Sequence, residues 1–163
     1  MSLPPDHPAR LTLARPLDAT VPIPGSKSDT NRALVCAALA DGESRLTGVS
    51  LSEDSAHLIA ALRRMGVGVR EAADGRTLAV AGCGAAPPDV AGEYSAGNAG
   101  TALRFLTGLV CVGRGKAVID GDARMRERPI QDLVDALAGL GVRIRCVRGN
   151  ACPPVEIEAA GLP

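Results

Sequence analysis

Four stretches of the chain carry apolar residues at helical spacing, and shorter apolar runs between them read as strands. Ala33 to Ala40 is the first helical run, and Asp41-Gly42 stops it. Leu58, Ile59, Leu62 and Met65 mark the second, which Ser52-Glu53-Asp54 opens with acids in the first turn and Gly66 closes. Ala102 to Val112 is the third. Ile130, Leu133, Val134, Leu137 and Leu140 mark the fourth, with Pro129 at its start and Gly141 at its end. Strands are predicted over Val21–Ile23, Ser44–Val49, Val67–Glu71, Thr77–Ala81, Lys116–Asp120, Val142–Val147 and Val155–Glu158, and a short one over Leu11-Thr12-Leu13. Asp74-Gly75 is a hairpin turn signal between two of them.

The pattern repeats. Residues Ala61–Arg70 line up with Ala136–Arg145 at an offset of 75. Each unit reads helix, strand, helix, strand, strand, with an extended segment in front. A repeated β-α-β-α-β-β unit predicts an α/β (α+β) fold with helices packed on mixed sheets. The expected organisation is a leader and first strand over residues 1–20, a first repeat over 21–84 and a second over 85–163.

Composition narrows the class. Lysine plus arginine equals aspartate plus glutamate at 18 each, so no basic excess points to nucleic acid or an anionic membrane. One Phe, one Tyr and no Trp leave the core to Leu, Val, Ile and Ala. Five cysteines, an odd number without a C-x-x-C pair, read as free thiols of a cytoplasmic protein. His7 and His57 have no metal-ligand spacing around them, and the reading expects neither metal nor cofactor. No signal-peptide core precedes the first helix, and no apolar run is long enough to span a bilayer.

Three turns carry candidate chemistry. Pro24 to Arg32 packs a glycine, hydroxyls, Lys27 and Arg32 just before the first helix, which is expected to open near Ser28 or Asp29. Free backbone N–H groups and the helix dipole there attract anions, and two cations stand beside them. A plain helix cap with Lys27 and Arg32 solvated fits the same residues. It is not a Walker A loop, since Ser26 stands where glycine should precede the lysine. Gly97 to Arg104 is a second small-residue turn into a helix, where Gly100 permits close approach and Thr101 caps or donates. Gly121 to Ile130 holds Arg124, Arg126 and Arg128 with Glu127, either an oxyanion cluster or a solvated charged loop in which Glu127 neutralises one arginine.

Taken together, PGSKSDTNRAL, GNAGTALRFL and RMRERPIQDLVDAL resemble, in sequence, order and separation, the motifs of the 5-enolpyruvylshikimate-3-phosphate synthase family (3-phosphoshikimate 1-carboxyvinyltransferases). The resemblance runs from about Leu11 to the C-terminus. It implies an inside-out α/β barrel of repeated units, with two repeats present here. It implies enolpyruvyl transfer from phosphoenolpyruvate to the 5-hydroxyl of shikimate 3-phosphate with release of phosphate, a step of aromatic amino acid biosynthesis. By position, Lys27 matches the catalytic lysine that contacts both substrates. Ser28 and Arg32 match ligands of shikimate 3-phosphate, and Gly100, Thr101 and Arg124 match the phosphoenolpyruvate site. The expected partners are these two small molecules and the remaining C-terminal part of such an enzyme. The chain departs from the family pattern in length, being well under half of a typical member. The later serine-rich phosphate grip, the later acids and the later basic residues are not in this sequence. Phe105 stands where some members carry proline, which bears on sensitivity to glyphosate. The alternative reading is a non-catalytic anion-binding fragment or module.

Overall fold

The computed structural model describes residues 16 and 18–162, so the leader and the strand expected over Leu11–Leu13 lie outside the described residues. The element order is α1 (Lys27–Leu39), β1 (Glu43–Thr47), α2 (Glu53–Arg64), β2 (Gly68–Glu71), β3 (Thr77–Ala81), β4 (Gly92–Ser95), α3 (Gly100–Val112), β5 (Arg114–Asp120), a 3-10 turn (Met125–Glu127), α4 (Gln131–Gly139), β6 (Arg143–Cys146) and β7 (Val155–Ala160).

The repeat reappears as topology. In the first sheet the order is β1-β3-β2, with β3 antiparallel to both neighbours. In the second, β5-β7-β6 copies that order with the same antiparallel pairings, and β4 adds a parallel strand on the outer side of β5. The helix ends match too. At Gly66 (φ +85) the amide of Gly66 donates to Arg63 and that of Val67 to Leu62. At Gly141 (φ +88) the amide of Gly141 donates to Ala138 and that of Val142 to Leu137. Both are the six-to-one, five-to-two closure that a left-handed residue makes possible, which is why glycine stands at each. That closure ends α4 at Gly139 and leaves Leu140 55% exposed, outside the apolar face expected to include it.

One core serves both units. Leu34, Leu58, Leu62, Leu78, Leu103, Leu106, Ile119 and Ile157 are fully or almost fully buried in a single cluster. Helices α1, α2 and α3 pack on one another, and the sheets lie against them. The aliphatic core expected from composition is present, and Tyr94 is its one aromatic member.

Three further expectations are corrected. Residues Val21–Ile23 form no strand and join neither sheet, with Val21 and Ile23 68% and 72% exposed. The corresponding lead-in to α3 does form β4. Pro22 and Pro24 have no amide hydrogen to give a ladder, which disfavours pairing in the first unit. Helix α1 opens at Lys27, and its cap is Ser26, whose Oγ accepts from the Asp29 amide at 3.3 Å, rather than Ser28 or Asp29. Pro129 lies before α4 rather than in its first turn.

Candidate functional site: two helix starts and an arginine turn

The first cluster is built on α1. Ser26, in an extended conformation, turns the chain into the helix, and its carbonyl takes the Thr30 amide at 3.0 Å. The amides of Lys27 and Ser28 remain as the unsatisfied donors of the first turn. Thr30 is buried and accepts from the Ser50 amide at 2.9 Å, tying the β1–α2 loop to α1. Gly25 packs flat on the same loop, and a Cβ there would collide with the Gly48 carbonyl and stand 2.9 Å from the Ser50 nitrogen. These contacts bring α2 beside α1, where Lys27 Nζ pairs with Asp54 Oδ2 at 3.1 Å. Arg32 pairs with Asp29 at 3.3 Å on an exposed face. Exposed pairs of this kind contribute little and exchange readily for another anion. Asp54 is a site residue that sequence reasoning read only as a helix-start acid. Nothing local in the sequence reveals that it meets Lys27.

The second cluster is the β4–α3 turn. The amide of Ala96 donates to Asp120 at 2.8 Å and that of Asp122 to Gly97 at 3.0 Å, so β4 and the loop after β5 are laced together. Gly121 sits against the Gly97 carbonyl so closely that a Cβ would overlap it. Gly25 against Gly48 is the same crossing in the first unit. Helix α3 starts at Gly100 with no side-chain cap at Ala99; the Gly100 amide donates to the Asn98 carbonyl at 3.1 Å, and the amides of Thr101 and Ala102 are the unsatisfied donors of the first turn.

The third cluster is the arginine turn. Arg126 grips Asp120 through three N–H···O contacts of 3.0, 3.2 and 2.6 Å. That pair holds the Asp120 carboxyl below its ordinary range, chiefly through the Arg126 hydrogen bonds. Asp120, not Glu127, therefore neutralises one arginine of the run. Met125 is fully buried and Asp122 Oδ1 accepts its amide at 2.8 Å, so the turn is pinned on two sides. Arg124 and Arg128 are left facing a cleft of about 430 Å³ that Asn98 and Glu127 also line. Arg128 reaches back to the Asn98 carbonyl and lies against Gly100.

Arg124 and Arg128 thus line one cleft, and Arg128 also lies against Gly100, while Gly100 and the half-buried Thr101 do not line that cleft themselves. Lys27, Ser28 and Arg32 group separately on α1. The first turn of α2 joins the two groups: Asp54 holds Lys27, and His57, one turn on, packs its ring against Gly97. A groove of about 490 Å³ runs beside Gly25, lined by Pro22–Gly25, Val49–Ser52 and Gly75–Arg76, and Lys27, Ser28 and Arg32 do not line it. Among the described residues no group of three His, Cys, Asp or Glu side chains is placed to hold a metal ion. No helix of the described residues is long and apolar enough to cross a membrane.

The family model for EPSP synthase (3-phosphoshikimate 1-carboxyvinyltransferase) matches residues 11–162. The chain belongs to the EPSP synthase family. A 3-phosphoshikimate 1-carboxyvinyltransferase of Rhizobium leguminosarum bv. trifolii is 46% identical over 156 residues, covering 94% of this chain and 36% of that protein. One from Shewanella loihica is 44% identical over 154 residues, with the same shares covered. The chain therefore spans about a third of the length of these curated relatives. The solved EPSP synthase of Acinetobacter baumannii superposes with a TM-score of 0.79 at 29% identity, over 85% of this chain and 31% of that one. The α/β architecture expected from the repeat is accordingly that of an EPSP synthase chain, represented here by its matching portion.

Proposed function

We propose that this chain supplies part of the substrate site for enolpyruvyl transfer from phosphoenolpyruvate to the 5-hydroxyl of shikimate 3-phosphate, with release of phosphate, in the cytoplasm. The observation that carries this reading is the pairing of two cation-flanked helix starts, at α1 and α3, through the first turn of α2. Both substrates bear a phosphate and a carboxylate, and such a surface offers them donors and cations already in place. Ser28 and Arg32 take shikimate 3-phosphate, with Arg32 exchanging Asp29 for the substrate anion. Gly100, Thr101 and Arg124 take phosphoenolpyruvate: the start of α3 and the Arg124 guanidinium, which has no ion-pair partner among the described residues, meet its oxyanions. Lys27 contacts both substrates and, beside Asp54, is the group positioned to stabilise charge as the enol carbon is protonated and the hydroxyl adds. The units 21–84 and 85–163 each contribute one helix start to this surface.

A second reading has its own support. General acid and base groups must accompany the transfer, yet Asp54 is engaged by Lys27 and Asp122 by the Met125 amide. Taken alone, the chain then binds phosphorylated substrate without turnover, and the further groups come from the rest of a family-length protein.

The test is phosphate release from shikimate 3-phosphate plus phosphoenolpyruvate, with this chain alone and with the missing portion of a relative added. Release only after addition is the expected result. Unchanged substrate binding in both Lys27→Ala and Arg124→Ala would sink the proposed surface.

A further inference from the structure

The two repeat units differ in the connection between their last two strands. In the first, residues 72–76 join β2 to β3; in the second, the longer run 147–154 joins β6 to β7. The extra length carries Ala151 to the exit of the arginine turn, where its carbonyl accepts the Ile130 amide at 2.9 Å. Ala151 does this at φ +63, and among the described residues only one other non-glycine, Ala85, takes a positive φ. An L-residue in that region costs free energy, so the conformation persists only where surrounding contacts hold it. Such contacts are present. The Gly149 amide donates to the Cys146 carbonyl at 3.2 Å, the Val147 amide to the Pro154 carbonyl at 2.8 Å, and the Cys152 amide to Asn150 Oδ1 at 3.3 Å. Ile130 is buried and caps α4, its own carbonyl accepting the Leu133 and Val134 amides. Beside it, Arg104 of α3 donates through Nη2 to the Pro129 carbonyl at 2.9 Å. The exit of the turn is therefore held from two sides, by α3 and by the β6–β7 loop. The same loop brings Arg148 near the entrance, where its charge adds to the Arg126 hydrogen bonds in holding the Asp120 carboxyl low.

We propose that Ala151 is a positioning residue for the enolpyruvyl-donor site: its left-handed conformation aims a carbonyl at the Ile130 amide and so fixes the arginine turn, residues 124–128, against the start of α3. Ala151 touches no ligand itself and acts through the turn. Both partners of the bond are backbone groups, so the side chain at 151 matters only through the φ it permits. Glycine takes a positive φ freely, whereas a β-branched residue there is a strong outlier. The assignment rests on the phosphoenolpyruvate-site reading above.

The test uses the chain as it stands, reading amide hydrogen exchange at Ile130 and titrating phosphoenolpyruvate and shikimate 3-phosphate separately. Ala151→Val is expected to speed exchange at Ile130 and to weaken phosphoenolpyruvate binding by about 3- to 10-fold, the span for one lost hydrogen bond. Shikimate 3-phosphate, read at the start of α1, is expected to stay within about twofold of wild type. Ala151→Gly is expected to keep the Ile130 amide protected and to bind both ligands as wild type does. Asn150→Ala removes the partner of the Cys152 amide and is expected to shift exchange and phosphoenolpyruvate binding in the same direction as Ala151→Val. It decides the matter if far-UV circular dichroism shows Ala151→Val to be unfolded. Faster exchange at Ile130 with phosphoenolpyruvate binding within about twofold of wild type overturns the inference and leaves the site reading standing. Equal losses for the two ligands in a folded variant, or unchanged Ile130 exchange in both loop variants, overturn it as well. A wild-type chain that does not bind phosphoenolpyruvate overturns the inference and the site reading together.

Discussion

Replacing Asp120 by Asn tests whether the Asp120–Arg126 pair is what holds the arginine turn. The two side chains are 25% and 39% exposed, between the surface and buried extremes. Exposed pairs contribute up to about 1 kcal/mol and broken buried pairs cost about 3–5 kcal/mol, so this partly buried, bidentate contact should couple by about 1–2 kcal/mol. With a urea slope of about 2 kcal/mol/M for a small protein, that is a midpoint shift of about 0.5–1 M. A double-mutant cycle of Asp120→Asn and Arg126→Ala, followed by urea unfolding, isolates the coupling. The pH dependence adds a second readout. The folded carboxyl lies below its ordinary value because Arg126 donates to it, with burial opposing. Its contribution is therefore present above the unfolded Asp value of about pH 4 and lost as pH falls through the lower folded value. The gap between wild type and Asp120→Asn should narrow in acid below about pH 4. A coupling under about 0.3 kcal/mol, within the scatter of independent sites, or a gap that widens in acid, would refute the reasoning.

Gly25→Ala should destabilise by about 1–3 kcal/mol, because the new methyl meets backbone of the β1–α2 loop that cannot rotate away; an unchanged urea midpoint would mean that the crossing is looser than described. Thr30→Val removes the acceptor of the Ser50 amide at a site 5% exposed and should cost about 1–3 kcal/mol. Its melting temperature should fall by about 2–4 °C per kcal/mol, and no fall would show that Ser50 finds another partner. Burial pushes the Cys111 thiol up to about 11, while Cys36 is exposed. Iodoacetamide at pH 8 should therefore label Cys36 long before Cys111, where only about one molecule in a thousand carries thiolate; peptide mass spectrometry showing equal rates would contradict the buried placement.

Much of this protein is legible in its sequence because its signals are local. The helical spacing of Leu58, Ile59, Leu62 and Met65 needs only one face to be buried. Gly66 and Gly141 announce helix ends because a left-handed residue closes the last turn wherever it occurs. The repeat at an offset of 75 became two sheets with the same strand order, since the same short connections permit the same pairings. The cap at α1 was also available in Ser26-x-x-Asp29, three residues apart, though the hydroxyls that follow concealed it. What the sequence could not show is which distant groups meet. Asp54 beside Lys27, Asp120 rather than Glu127 on Arg126, and the guanidinium of Arg128 lying on Gly100 depend on how α2 and the turn after β5 pack. Those partners lie 27, 6 and 28 residues apart in the chain, and only β5, the turn after it and the helix packing fix their distance. Local spacing sets which elements form; the packing of those elements decides which charges are spent on one another and which remain open to a ligand.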